Sequence, residues 1–339
     1  MYKDPRERRR KQRKNTIFIA FAMVGLAILA VLAVLYLDLG EFADKFKNIN
    51  YTYPSEIAPI RDKLNLTDRG DTIFAASRPT LEDSDQFNQD CESYNDQISI
   101  LGCYTRDTIF LYNIEVTPEL DGIIESTSAH ELLHAAWARL NDKEKSELSP
   151  VLEDVYNSNQ DLLSSGLDTY ATENRLDELH SRIGTQVANL PGILETHYAK
   201  YFNDQDVIVA LYNHYSAPFN ELRDKQSSLA TQLTNLKAQI DSETEDYTTR
   251  QNALSDQISE FNNCASTAGC FATSASFNQR RAELVAAQAE LSNLYNEIDN
   301  MINQYNTIVT EYNDSVFRTE KLENTINSNA TAEEITDDN

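Results

Sequence analysis

Two runs of apolar residues, spaced alternately three and four apart, dictate the shape of roughly a third of this 339-residue chain. The first passes through Phe219, Leu222, Gln226, Leu229, Leu233, Leu236 and Ile240, with Gln226 its one polar member, and resumes at Leu254, Ile258 and Phe261. The second passes through Phe277, Leu284, Ala287, Leu291, Leu294, Ile298, Met301, Tyr305, Ile308 and Tyr312. A seam of that period stays turned toward a neighbouring helix along its whole length. Between the runs lies CASTAGC, residues 264–270, which is small and turn-forming. An antiparallel coiled-coil hairpin over 217–327 follows. Pairing of these helices with another copy or with an envelope protein is the alternative use of the same seam.

At the other end, Ile17 to Leu37 is an uncharged, almost wholly apolar run of 21 residues. At helical rise that spans about the ~30 Å of a bilayer's hydrocarbon core, so 16–37 is expected to be a transmembrane helix. A cleaved signal peptide is the competing reading, but the run exceeds the ~7–15 residues of an h-region and no clean small-x-small site follows. Residues 1–15 carry eight of the 29 Lys and Arg against two acids, leaving 21 basic and 52 acidic residues beyond them. The positive-inside rule keeps that basic tail in the cytoplasm and sends the remainder across a plasma membrane as a single-pass protein. So acidic an outer part lacks the basic surface that phosphate contacts need, which argues against nucleic acid as a partner. The four cysteines fall as two local pairs, Cys91 with Cys103 and Cys264 with Cys270. In an oxidising compartment two disulfides are expected.

Residues 38–66 are polar and interrupted by Pro54 and Pro59, and read as a stalk. Thr72–Ser77 and Cys103–Ile114 have strand-like composition, predicting a small antiparallel sheet, with Leu111–Asn113 as core strand or as an edge open to an extended substrate. From about 121 to 216 the pattern turns helical, with segments near 122–140, 144–158, 172–184, 191–202 and 205–216. A compact domain over 67–216 is therefore expected, of α+β class and mainly α. Residues 328–339 are acidic and read as a disordered tail.

Within that domain lies His130-Glu131-Leu132-Leu133-His134, an HExxH pattern. Residues four apart share one helix face, so two imidazoles converge on one ion while the Glu between them sits beside it. Ala129, Leu133, Ala136, Trp137 and Leu140 form an apolar stripe beside the His face. Downstream comes Asp177-Glu178-Leu179-His180-Ser181. Together these segments resemble the gluzincin group of zinc metallopeptidases, in which a Glu on a later helix completes the site. The resemblance covers roughly 100–215 and implies a small zincin-like fold, one Zn²⁺, a peptide or protein substrate and peptide-bond hydrolysis. By it His130, His134 and Glu178 are the metal ligands, and Glu131 is the general base acting on a zinc-activated water. Glu173 is the rival ligand, since Glu173 and Asp177 fit the ExxxD arrangement in which the Asp orients a ligating His. His134 and Glu178 stand farther apart than in the best-known members, and a helix inserted at 144–158 accounts for the distance. The oxyanion-stabilising group of such enzymes could come from among His197, Tyr198, Tyr201, His214 and Tyr215. A non-catalytic envelope adaptor or oligomerisation protein acting through its coiled coil is the alternative function.

Overall fold

The computed structural model describes residues 18–19, 21–28, 39–92, 101–164, 167 and 172–328. The described residues fall into two compact units, one of residues up to 216 together with 326–328 and one of residues 217–325. Residues 18–19 and 21–28 are helical, and Phe18, Phe21 and Met23 are exposed. The rest of the expected membrane span, the basic tail and residues 329–339 lie outside the described residues. Among the described residues no helix is long and apolar enough to cross a membrane.

The first unit begins earlier than the sequence suggests. Residues 39–66, read as a stalk, hold α1 (Leu39–Lys47) and α2 (Ile57–Lys63), and Ile57, Ile60 and Leu64 are buried in the main core. Pro59 sits in the first turn of α2, where its missing N–H would have no helical partner anyway. Thr72–Ser77 is not a strand. It lies in or beside α3 (Asp68–Ala76), because Thr67 caps the Gly70 amide and Asp68 and Asp71 place negative charge in the first turn. Gly70, Ile73, Phe74, Ala75 and Ala76 are buried, and a helix satisfies their backbone groups internally.

β1 (Thr80–Glu82), α4 (Ser84–Asp90), β2 (Gly102–Thr105) and β3 (Thr108–Tyr112) follow. The sheet is mixed rather than antiparallel, in the order β1-β3-β2. β2 and β3 form a hairpin with Cys103 opposite Phe110, whereas β1 lies parallel to β3 with Leu81 opposite Leu111. Arg106 and Asp107 make the two-residue turn, both with positive φ, and Tyr104 donates to Asp107 across it at 3.0 Å. Leu111 is thus in the central strand, and β1 and β2 are the two edge strands. Cys91 and Cys103 are bonded and buried beside Phe87 and Phe110.

Further helices of the unit are α5 (Ile123–Ala138), α6 (Asp142–Ser158), α7 (Gln160–Leu163), α8 (Thr172–Gln186) and α9 (Gly192–Tyr198). α6 opens with a capping box between Asn141 and Glu144, and with α7 it fills the stretch between the two motif helices. α5 is expected to be amphipathic with a single apolar stripe, but Leu132 and Ala135 are buried as fully as Ala129, Leu133 and Ala136. It is a central helix, open along Ile124, Thr127, His130 and His134 and exposed at its last residue, Ala138. α10 (Gln205–Ser266) starts in this unit and runs on without a break. The final described residue, Ser328, is buried and exchanges hydrogen bonds with Asn88, so it belongs to no disordered tail.

In the second unit the later part of α10 pairs with α11 (Ser274–Ile326) as an antiparallel hairpin. Gln226 donates to Thr319 at 2.9 Å near one end, while Tyr247 meets Tyr295 and Phe261 meets Phe277 toward the other. Leu222, Leu229, Leu236 and Leu254 face Leu284, Leu294, Ile298 and Ile308 as the buried seam. Gln226 and Thr319 satisfy one another within it, a pairing that fixes register. Ile258, expected in the seam, is exposed at its margin. Toward the tip Phe261, Phe271 and Phe277 pack on each other instead, beside the Cys264–Cys270 disulfide.

Candidate metal centre

His130 and His134 project from the open face of α5, one helical turn apart, with their Nε2 atoms separated by 3.1 Å. Glu178 reaches them from α8, its Oε2 lying 3.7 Å from Nε2 of His130 and 3.4 Å from Nε2 of His134. The helices approach closely enough because α8 presents small residues to α5. Ser181 is fully buried, and a Cβ on Gly184 would come 2.4 Å from Leu133 and 2.6 Å from Tyr198. These three side chains could hold a metal ion, each offering one atom, all within 4.8 Å of one another. The side chain of Glu173 lies outside the described residues.

What surrounds the three donors orients them. Nδ1–H of His134 donates to Asp177 Oδ1 at 2.8 Å, which directs Nε2 toward His130 and Glu178. Burial works against a charged His134, but the Asp177 carboxylate outweighs it and raises the imidazole's pKa well above its ordinary value. Burial likewise favours a neutral Glu178, yet the two imidazoles prevail and hold its carboxyl far below the usual range. Arg182, one turn along α8, donates through Nε to Glu178 Oε1 at 2.5 Å and through Nη1 to the Leu163 carbonyl at 3.0 Å. One carboxylate oxygen is thereby occupied, and the other is left for the imidazole pair.

Glu131 points into the same cleft, which has a volume of about 360 Å³. Its neighbour is Gly102 on the edge strand β2, where a Cβ would fall 2.9 Å from the Glu131 Cγ and 2.7 Å from Thr127. Only a residue without a side chain lets that strand lie so close over α5. Burial raises the Glu131 pKa, partly offset by the two histidines. Tyr212 and Tyr215 close another side of the cleft. Burial pushes the Tyr215 phenol upward, so its hydroxyl keeps its proton.

The other aromatic candidates lie elsewhere. His180 is buried against Trp137 and Tyr198, and its Nε2 is 2.8 Å from Nε2 of His197, which in turn packs on Tyr201. Tyr198 donates its hydroxyl to the His180 carbonyl. Burial drives both imidazoles down, His197 to about 3 with Lys200 and Arg69 adding to the effect, so the pair is neutral. His214 is exposed. Of the five residues named from the sequence as oxyanion candidates, Tyr215 alone lines the cleft. Tyr212 and Arg182 were not singled out there; the spacing of three and of four residues from Tyr215 and Glu178 respectively is the signal that could have found them.

Family models, curated proteins and solved structures give no match to this chain. Its chemistry therefore rests on the geometry alone.

Proposed function

We propose that this protein is a membrane-anchored zinc metallopeptidase whose cleft opens outside the cytoplasmic membrane. The observation that carries the reading is the convergence of His130, His134 and Glu178. An ion that binds its ligands at about 2.0–2.1 Å with tetrahedral angles sets them roughly 3.3–3.4 Å apart. The three donor separations of 3.1, 3.4 and 3.7 Å bracket that spacing. Two imidazoles and a carboxylate suit zinc, and three protein ligands leave a position for water.

When bound there, Zn²⁺ supplies the Lewis acidity that brings a water's pKa toward neutral and polarises a carbonyl. The chain's own groups do the rest. Glu131, with its proton affinity raised by burial, takes a proton from the attacking water and returns it to the leaving amine. Asp177 holds His134 in the tautomer that presents Nε2, and Arg182 occupies Glu178 Oε1 and leaves Oε2 for the imidazoles. Tyr212 and Tyr215 offer hydroxyl donors to a developing oxyanion. Leu101, Gly102 and Tyr104 border the cleft from the free edge of β2, where an extended peptide could add as a further strand. The basic residues before the 17–37 run and the two disulfides support an extracytoplasmic site.

The test is metal content and hydrolysis of an unstructured protein, measured together on the full chain in lipid nanodiscs. Glu178→Ala should lose the ion. Glu131→Gln should keep it and slow hydrolysis by about 10²–10⁴-fold. Absence of stoichiometric metal, or a Glu131→Gln variant as fast as wild type, would overturn the proposal. The second outcome would favour the adaptor reading, for which the separate, disulfide-tipped hairpin is the supporting feature.

A further inference from the structure

Immediately after the 17–37 apolar run comes α1, a nine-residue helix that is fixed to the first unit along one side and bare along the other. Its two acids turn inward. Asp44 is buried and accepts from Arg139 Nε and Nη2 at 2.7 and 3.0 Å, and Glu41 accepts from Arg69 at 3.1 Å. The far end is tied down by Asn48, which donates to the Thr72 carbonyl, and by Arg78, which donates to the Lys47 carbonyl. Phe42 and Phe46, four apart on the helix, are 62 and 68 % exposed, and Ile49 in the turn that follows is 67 % exposed. The charges flanking them are Lys45, which pairs with Glu41 at 2.6 Å, and Lys47, which lies 3.4 Å from the exposed Asp107. In a chain that is otherwise strongly acidic, this face is apolar, and its exposed edge carries two lysines.

We propose that α1 lies in the interfacial layer of the bilayer, with Phe42, Phe46 and Ile49 in the acyl boundary and Lys45 and Lys47 at anionic headgroups. A helix with an apolar face and flanking lysines sits in this way roughly 5–10 Å into the headgroup region. The occupant is lipid because of where the preceding chain ends: the apolar run stops at Leu37, two residues before the helix starts. The lipid contact extends the membrane-anchor part of the proposed function, and its consequence for substrates rests on the peptidase part. It has a consequence for the cleft. Arg139, the residue that holds Asp44, is the C-cap of α5 and also donates to the Ala135 carbonyl, so the HExxH helix is held at a fixed height above the lipid. Substrates would then be segments close to the membrane surface.

The full chain has one tryptophan, the buried Trp137, which provides a built-in reference. Phe42→Trp, Phe46→Trp and Val24→Trp variants, each of full length, go into nanodiscs of phosphatidylcholine and phosphatidylglycerol with and without brominated acyl chains. In the brominated lipid Phe42→Trp and Phe46→Trp should lose emission beyond the loss seen for Trp137 alone, and Val24→Trp should lose more. If Val24→Trp is quenched and both α1 variants behave like wild type, the interfacial helix is wrong while the anchor stands. Loss at α1 without loss at Val24 removes the anchor and leaves the interfacial contact. Loss at neither removes both.

Discussion

In the first unit burial is three-dimensional: Leu132 and Leu133 on α5, Leu179 and Ile183 on α8, Leu194 and Tyr198 on α9 and Ile57 on α2 close around one another from several directions. In the hairpin it is one-dimensional, a single line of residues such as Leu229, Leu236 and Ile308 with Leu233 and Tyr305 only partly covered. The difference decides what each region can hold. A surrounded site can exclude water from Glu131, which raises its proton affinity, and can hold two imidazoles against Glu178, which lowers its proton affinity despite burial. A seam one residue wide cannot. There the polar member Gln226 is matched to a single Thr319 and serves register.

The comparison breaks first if core substitutions cost the same in both regions. Leu132→Ala should destabilise the first unit by about 2–5 kcal/mol, because the surroundings cannot collapse into the space left. Leu236→Ala should fall at or below about 2 kcal/mol, and chemical denaturation followed by circular dichroism separates the two. Next come the disulfides, where loop length alone gives about 3 kcal/mol for Cys91–Cys103 and about 2 kcal/mol for Cys264–Cys270. Serine replacement of the first pair should also weaken metal retention, since Cys103 lines the cleft; replacement of the second should leave it unchanged. Titration with a competing chelator reads both.

A smaller effect is expected from the groups that orient the donors. Asp177→Asn or Arg182→Gln should lower metal affinity by about 10–100-fold while the fold melts near the wild-type temperature. Equal affinities would mean that the cleft is set by helix packing alone. A separate effect is expected in the pH dependence. His180 and His197 are neutral when folded, and each binds a proton near pH ~6.5 once unfolded. Their contribution is complete above about pH 6.5 and is lost as pH falls toward about 3, because the unfolded chain binds more protons in that window. The slope per proton approaches about 1.4 kcal/mol per pH unit, and His197→Asn should flatten part of it in metal-free protein.

Some elements were legible in the chain and others were not, for reasons particular to each. The hairpin could be read because a heptad repeats its message many times and each repeat needs only its own neighbours. HELLH could be read because the four-residue spacing by itself puts both imidazoles on one face. Thr72–Ser77 was misread as strand: TIFAAS is too short for either period to dominate, and the Thr67 cap that decides it lies outside the segment. The supposed stalk concealed α1 and α2, since polar, proline-containing stretches give little sign of which few side chains will find a core. β1 was missed at three residues, held parallel to a strand that follows it by nearly thirty positions.

The sequence by itself determined the long helices, the pairing of the cysteines and the HExxH face, all of which are local properties of spacing. Tertiary structure alone decided that Glu178 meets that face, that Asp177 takes His134 and Arg182 takes the other carboxylate oxygen, and that Tyr215 reaches the cleft while Tyr198 and Tyr201 do not. Those outcomes depend on how closely α8 docks on α5, which small residues at Ser181 and Gly184 permit but no periodicity encodes.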